Sequence, residues 1–137
     1  MAYNVKSYTD VEQSKVLAKI LPIESADMYY QHVLPKSDKI KHNPEIGNPV
    51  NALKWYNKGY TTSGKEPITL DEYCIPCWSL AALIDVLPRI INNETLFVET
   101  SAALWHIGYR NVFTARAVNL VDACYELILK LNELKML

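Results

Sequence analysis

The fold is decided by the stretch LFVETSAALWHIGYRNVFTARAVNLVDACYELILKL, which covers residues 96–131. Its first part divides into three strand-forming segments, 96–100, 103–110 and 112–118, with short connections that favour antiparallel neighbours. Its last part places apolar side chains at helical spacing over three turns after Asn119, a residue type that caps helices well. The stretch therefore predicts a three-stranded antiparallel meander with a helix over 119–132 packed against it.

Three further helices are predicted before this stretch, over 10–21, 49–58 and 77–87. In the first of them, Thr9 and Glu12 match a Thr-x-x-Glu capping box, and apolar residues then recur at helical spacing. Because proline stops a helix, Pro22 is the expected end of that helix.

Proline and glycine mark the ends of the other two predicted helices. Asn48 and Pro49 suit an N-cap and a first helical position, and Gly59 suits a left-handed end. Pro76 suits the start of the third helix, and Pro88 its end. Both helices are therefore bounded by residues whose backbone preferences agree with the apolar pattern between them.

The rest of the chain contains one more candidate strand and a loop-rich segment. Met28, Tyr29 and Tyr30 favour a strand within 23–34. Residues 35–76 hold five of the seven prolines and three of the four glycines, and surface loops are predicted over 36–47 and 60–71. We expect one α+β domain over 1–137: a small antiparallel sheet of three or four strands, packed by about three helices, with a loop-rich segment that carries a short helix.

Composition excludes several classes of protein. The chain has 137 residues, is 50% hydrophobic and 21% charged, and has no apolar run long enough for a membrane span. Its N-terminus lacks the apolar region of a signal peptide, and three cysteines fit a reducing compartment, so a cytoplasmic location without a membrane partner is expected. A net charge of -1 makes nucleic acid an unlikely partner.

Charge is unevenly distributed along the chain. Residues 36–65 carry six lysines against two carboxylates, and residues 66–99 carry six carboxylates against Arg89 alone. Adjacent blocks of opposite sign commonly face each other or solvent, whereas an unpaired basic block would suit an acidic partner. Both interpretations remain open from the sequence.

The sharpest local motif is Cys74-Ile75-Pro76-Cys77, placed directly before the predicted helix over 77–87. Thiol oxidoreductases use a helix N-terminus in this position to lower the pKa of a thiol. The motif makes Cys74 and Cys77 redox candidates. However, the preceding residues make a poor buried strand. The structural alternative is a loop thiol at Cys74 and a buried residue at the start of the helix at Cys77.

No metal site or familiar catalytic motif is predicted. A zinc site would need two further ligands for the cysteine pair, and none of the other candidates stands at partner spacing; these are Cys124, His32, His42 and His106. His106 falls on the strand face opposite Trp105, as expected of a half-exposed histidine in a sheet. We therefore expect no metal and no cofactor.

Aromatic residues concentrate in the loop-rich part of the chain. Because tyrosine and tryptophan favour partly wet surfaces, these residues are candidates for a contact surface over 35–73. The alternative is that Trp55 and Tyr56 fold back onto the sheet as a lid. The candidate contact residues are Tyr30, Trp55, Tyr56, Tyr60 and Tyr73.

Three runs of residues resemble a family of small uncharacterised proteins from phages and prophages of gut anaerobes. They are Ser25–Tyr29, Cys77–Pro88 and Asn119–Ile128. In that family a Trp-Ser-Leu helix ends in proline, and an Asn-Pro-Val-Asp-Ala-Cys helix lies near the C-terminus. Here Leu120 replaces the proline of the second helix, and Cys77 stands where a small residue is usual. The resemblance implies a mobile-element origin and a cytoplasmic host setting, without an assigned activity.

Two classes of function follow from the sequence. The first is a non-enzymatic interaction or accessory protein of mobile-element origin, which binds an unknown protein partner or a second copy of itself through segment 35–73. The second is a small thiol-disulfide enzyme that uses Cys74-Ile75-Pro76-Cys77.

Overall fold

A computed structural model describes residues 5–137 of the chain. The chain forms two compact units: one is Asp10–Trp78, and the other is Ser79–Leu137 together with Met1–Thr9 as far as it is described. Each unit combines helices with antiparallel strands, which confirms the predicted α+β class. Compact units of this size also occur within one domain, so the single domain over 1–137 stays a prediction.

The unit Asp10–Trp78 is built on a three-stranded antiparallel sheet. Strand β1 lies between β2 and β3, and it confirms the strand predicted within 23–34. Helix α1 packs on β3, and α2 packs on α3. In chain order the elements are α1 (Val11–Leu17), a 3-10 turn (Ile23–Ser25), β1 (Met28–Gln31), β2 (Glu45–Ile46), α2 (Pro49–Thr62), α3 (Leu70–Tyr73) and β3 (Cys74–Cys77).

Helix α1 differs from the prediction in its cap and in its end. Asp10 rather than Thr9 is the N-cap: its carboxylate accepts a hydrogen bond from the backbone N–H of Gln13 at 2.8 Å, and Gln13 Oε1 accepts one from Asp10 N at 3.1 Å. Both residue pairs fit a capping box, but Thr9 is buried, whereas Asp10 is exposed. The helix ends at Leu17, so the predicted helix over 10–21 is too long by about one turn.

Helix α2 confirms the predicted start and corrects the predicted end. Asn48 Oδ1 accepts a hydrogen bond from the N–H two residues on at 3.0 Å, and its Nδ2 donates to Ala26 O at 2.9 Å. Gly59 lies inside the helix, which continues to Thr62, and Gly64 adopts the left-handed conformation after the last turn, with φ of 78°. The sequence offers two glycines for this end, and the later one is used.

The loop-rich segment contains more regular structure than predicted. Strand β2 lies within the predicted loop over 36–47, and the last turn of α2 and the start of α3 lie within the predicted loop over 60–71. A two-residue strand and a four-residue helix are too short to produce a periodic apolar pattern, which is why the sequence does not reveal them.

The Cys-x-Pro-Cys motif forms strand β3, so the helix predicted over 77–87 is wrong in its start. The helix of this region, α4, covers Leu80–Val86 and is capped by Ser79, whose Oγ accepts a hydrogen bond from the N–H three residues on at 3.2 Å. Pro76 suits a helix start and also an edge strand, and β3 is an edge of its sheet.

The second unit contains the predicted meander. Strands β6, β7 and β8 pair antiparallel in that order, and each differs from its predicted bounds by one residue at either end. A separate hairpin of β4 and β5 precedes them. Residues 5–137 thus form three small sheets, where the sequence predicts a single one. After α4, the elements are β4 (Ile90–Ile91), β5 (Glu94–Thr95), β6 (Phe97–Ser101), β7 (Leu104–Tyr109), β8 (Phe113–Ala117) and α5 (Leu120–Glu133).

Helix α5 provides the core of this unit, as predicted. It packs on β7 and β8, and α4 packs on it. Asn119 is its N-cap and accepts a hydrogen bond from Asp122 N at 2.8 Å. Its apolar stripe is buried: Val121, Ala123, Cys124, Leu127, Ile128 and Leu131.

Gly108 in β7 provides a test of the meander. A Cβ at this position would lie 2.2 Å from Phe113 O and 2.6 Å from Thr114 Cα, both backbone atoms of β8. We expect Gly108→Ala to lower the free energy of unfolding by about 1 to 3 kcal/mol or more, because the strands have to move apart. Gly59→Ala is the control, because no atom lies within 4 Å of the position that its Cβ would take. Alanine favours a helix more than glycine does, so this substitution should raise the free energy of unfolding by about 0.5 to 1 kcal/mol. Urea unfolding measures both, and an unaffected Gly108→Ala protein would contradict the close approach of β7 and β8.

The turn between β6 and β7 provides a second test. Ala102 and Ala103 both adopt left-handed backbone conformations, with φ of 52° and 62°, which costs alanine about 1 to 2 kcal/mol per residue. Two-residue hairpin turns of this kind favour Asn-Gly. The double substitution Ala102→Asn and Ala103→Gly should therefore raise the free energy of unfolding by about 1 to 2 kcal/mol. Thermal unfolding provides the measurement, and a decrease in stability would show that the turn has another geometry.

Candidate functional site

Strand β3 keeps the two cysteines of the motif apart. Cys74 pairs with Gln31, and Cys77 pairs with Met28. Residues three apart on a strand point to opposite faces of the sheet, and their Cα atoms are about 10 Å apart. A disulfide requires Cα atoms within about 7 Å, so this strand cannot close a bond between Cys74 and Cys77.

The environment of these thiols also opposes redox chemistry. Cys74 is 2% exposed and Cys77 is fully buried. Burial, with a smaller contribution from the nearby Asp71 carboxylate, raises the pKa of Cys74 from 9.0 to about 12. A reactive cysteine needs a lowered pKa and access to solvent. The structural alternative is correct in the burial of Cys77, but Cys74 lies in a strand and not in a loop, and Cys77 ends that strand and does not start a helix.

The histidines and the third cysteine lie in four different places. Cys124 is buried in α5, and burial raises its pKa to about 12. His32 follows β1, His42 is exposed between β1 and β2, and His106 lies in β7. Within residues 5–137, no group of three or more His, Cys, Asp or Glu residues is placed to hold a metal ion.

Most of the candidate contact residues pack inside the unit Asp10–Trp78. The ring centroid of Tyr56 lies 4.9 Å from that of Tyr60 and 4.9 Å from that of Tyr73, and Tyr73 lies 5.8 Å from Tyr29. We call these four residues the tyrosine cluster. Tyr73 is buried, and this burial, together with a hydrogen bond to Tyr29, raises its pKa. Tyr30 is also buried, so Tyr30 and Tyr73 do not line an exposed surface.

Trp55 is the exception among the candidate contact residues. Its side chain is 72% exposed, and Lys58 Nζ lies 5.1 Å from the centroid of its ring. The neighbouring Tyr56 points inward because successive helix residues are rotated by about 100°. Tyr56 therefore packs inward and Trp55 lies on the surface, while the contact surface over 35–73 stays a prediction.

The same unit contains a cleft that the sequence does not reveal. Its volume is about 530 Å³, and it is bordered by the end of α1, by α3 and by β3. Four separate segments of the chain contribute to it, and only His32 and Cys74 stand out in the sequence. A feature of the sequence that could have indicated the cleft is the i, i+4 spacing of Lys15 and Lys19, because this spacing places two cations on one side of a helix. The lining residues are Lys15, Ala18, Lys19, His32, Asp71, Cys74, Ile75 and Pro76.

These features define a small α+β protein with buried cysteines, and the unit Asp10–Trp78 carries an exposed tryptophan face and a partly cationic cleft. Comparison with protein-family models, with curated proteins and with solved structures finds no match to this chain. Within residues 5–137, no helix has both the length and the apolar character needed to cross a membrane.

The burial of the thiols leads to a prediction about their reactivity. Because the pKa values of Cys74 and Cys124 are raised to about 12, almost no thiolate is present at pH 8, and both thiols should be unreactive in the folded protein. Ellman's reagent should label the cysteines only after denaturation. A small-molecule thiol measured in parallel is the control for the reagent. Rapid labelling of the folded protein, or a Cys74–Cys77 disulfide formed without unfolding, would contradict the strand arrangement.

Proposed function

We propose that this chain is a non-enzymatic interaction protein that binds an acidic protein surface through the outer side of α2. This surface, the Trp55 face, consists of Asn51, Lys54, Trp55, Lys58 and Thr62, all of which are exposed. The exposure of Trp55 is the observation that carries the proposal. Exposed tryptophan with flanking cations is typical of the anchor residues of protein interfaces.

The energy of the exposed ring supports an external partner. Burying most of a tryptophan ring contributes about 2 to 4 kcal/mol, whereas a cation over an exposed ring contributes about 0.5 to 1 kcal/mol. The contact with Lys58 therefore recovers only a minor part of what burial of Trp55 would provide. A partner surface that covers the ring would provide the rest.

Charge selects the type of partner. Lys54 and Lys58 flank Trp55, and no carboxylate belongs to the Trp55 face. Two copies joined through this face by a two-fold axis would bring the lysines of both copies close together, which costs energy. An acidic partner surface would instead be attracted to the same lysines. The charge pattern thus favours an acidic protein partner over a second copy of the chain.

The proposal includes an origin in a phage or prophage and action in the cytoplasm. Its support is the resemblance over Ser25–Tyr29, Cys77–Pro88 and Asn119–Ile128, together with the three cysteines of the chain. The thiol-disulfide alternative is not favoured, because Cys74 and Cys77 lie on opposite faces of β3.

The substitution Trp55→Ala tests the proposal. It should lower the free energy of unfolding by no more than about 1 kcal/mol, the most that the contact of Lys58 with the exposed ring contributes. Wild-type protein should bind a synthetic peptide of Glu and Leu, as measured by fluorescence anisotropy. It should show no binding of the same peptide with Gln in place of Glu. Loss of the tryptophan anchor should weaken binding of the Glu peptide by more than about tenfold.

Two control measurements make this test decisive. Val98→Ala removes an exposed apolar side chain of the other unit and should leave peptide binding unchanged. Lys54→Gln with Lys58→Gln should weaken binding and reduce its salt dependence. A loss of about 2 kcal/mol or more in the stability of the Trp55→Ala protein would make Trp55 a core residue and contradict the proposal. A sedimenting mass of two chains that Trp55→Ala reduces to one would favour a second copy instead.

A further inference from the structure

The cleft between α1, α3 and β3 has the volume and the lining of a small-molecule site. At about 530 Å³ it falls within the range of roughly 300 to 1,000 Å³ that is usual for ligand pockets. Ala18, Ile75 and Pro76 give it an apolar wall, and five ionisable side chains lie around that wall. A few convergent polar groups on an apolar wall are what such pockets use to orient a ligand.

The cleft has more cationic than anionic groups. Lys15 and Lys19 line it from the end of α1, and Asp71 is the one carboxylate of its lining. Lys15 Nζ lies 3.7 Å from Glu12 Oε1, but both side chains are largely exposed, so this ion pair contributes little. Lys19 has no carboxylate within 4 Å among residues 5–137. Two ammonium groups are therefore available to a ligand.

His32 adds a third polar group to the cleft. Its backbone N–H donates to Tyr73 O at 2.9 Å, which fixes the residue beside β3. Its Nδ1 is buried without a hydrogen-bond partner among the described residues. Because Nδ1 is buried, Nε2 is the ring nitrogen that a ligand can reach, and a proton on Nε2 makes it a hydrogen-bond donor.

The cysteine of the lining does not repel a negative charge. Burial raises the pKa of Cys74 to about 12, so its thiol is neutral at physiological pH. Asp71 is the group that would repel an anion, and two lysines oppose it. The combination excludes a metal cation as the preferred ligand, because the lysines repel it and offer no lone pair while charged.

We propose that this cleft is a binding site for a small organic anion, whose phosphate or carboxylate group lies between Lys15 and Lys19 and whose apolar part packs on Ala18, Ile75 and Pro76. His32 Nε2–H is a further donor to the anion, and Asp71 accepts a hydrogen bond from a hydroxyl or amino group of the ligand. This site is separate from the Trp55 face, and the proposal does not rest on the function proposed for that face.

The test is an NMR titration of the full chain with two probes, inorganic phosphate and citrate, at constant ionic strength. The imidazole resonances of the three histidines provide the readout, because His32 lines the cleft whereas His42 and His106 do not. We expect saturable shifts at His32 and no comparable shifts at the other two. Saturation by phosphate alone would identify a phosphate ester as the ligand class, and saturation by citrate alone would identify a carboxylate.

Charge-matched variants separate a specific site from general attraction. Lys15→Gln and Lys19→Gln should each weaken binding of the effective probe by about tenfold, the loss expected for one charge-assisted hydrogen bond. The control is Lys54→Gln with Lys58→Gln, which removes two positive charges on α2 and should leave the affinity unchanged. Circular dichroism checks that every variant is folded.

Two results would overturn the proposal. One is the absence of saturable shifts at His32 with either probe. The other is an equal loss of affinity in the α2 control and in the Lys15 and Lys19 variants, which would show that the anion responds only to the net charge of the chain. Neither result bears on the Trp55 face, because binding there is measured with a different ligand, the Glu peptide, and with a different readout, the fluorescence anisotropy.

Discussion

The antiparallel pairing of β1 with β3 is the constraint on which the cysteine positions and the cleft of the unit Asp10–Trp78 depend. The register joins Gln31 to Cys74 and Met28 to Cys77, so the two thiols fall on opposite faces of the strand. The same pairing continues into the hydrogen bond from His32 N to Tyr73 O, which holds the histidine beside the cleft. A slip of one residue would turn every side chain of β3 to the other face and remove Cys74 from the cleft.

The sequence predicts the elements of the second unit better than it predicts strand β3 of the unit Asp10–Trp78, and this difference has a physical cause. In residues 96–131 the apolar pattern has the period of the element that forms, and the meander and α5 follow from it. In the motif Cys74-Ile75-Pro76-Cys77 the local signal is ambiguous, because proline suits both a first helical position and an edge strand. The choice is made by a strand more than 40 residues away, and no local pattern contains that information.

The aromatic residues of α2 show what helical spacing alone can establish. Once the helix is known to cover Pro49–Thr62, Tyr56 and Tyr60 fall on the side of Leu53, and Trp55 does not. The spacing therefore separates the tyrosine cluster from the exposed ring, provided that the helix is not ended too early at Gly59. Helical spacing cannot predict the cleft in the same way. Four segments of the chain contribute to it, and sheet pairing, not a spacing in the sequence, brings them together.

The lysine excess of residues 36–65 is divided among separate contacts in the folded chain. Lys36 Nζ lies 3.3 Å from a Glu72 carboxylate, Lys65 lies 5.1 Å from the ring of Tyr60, and Lys58 lies 5.1 Å from the ring of Trp55. A block of charge in sequence is thus not one patch in space. The two lysines of the cleft, Lys15 and Lys19, come from outside that block. Because charges act over about 8 to 10 Å at physiological salt, the electrostatic field at any point of this surface depends more on the nearest two or three charged side chains than on the net charge of -1.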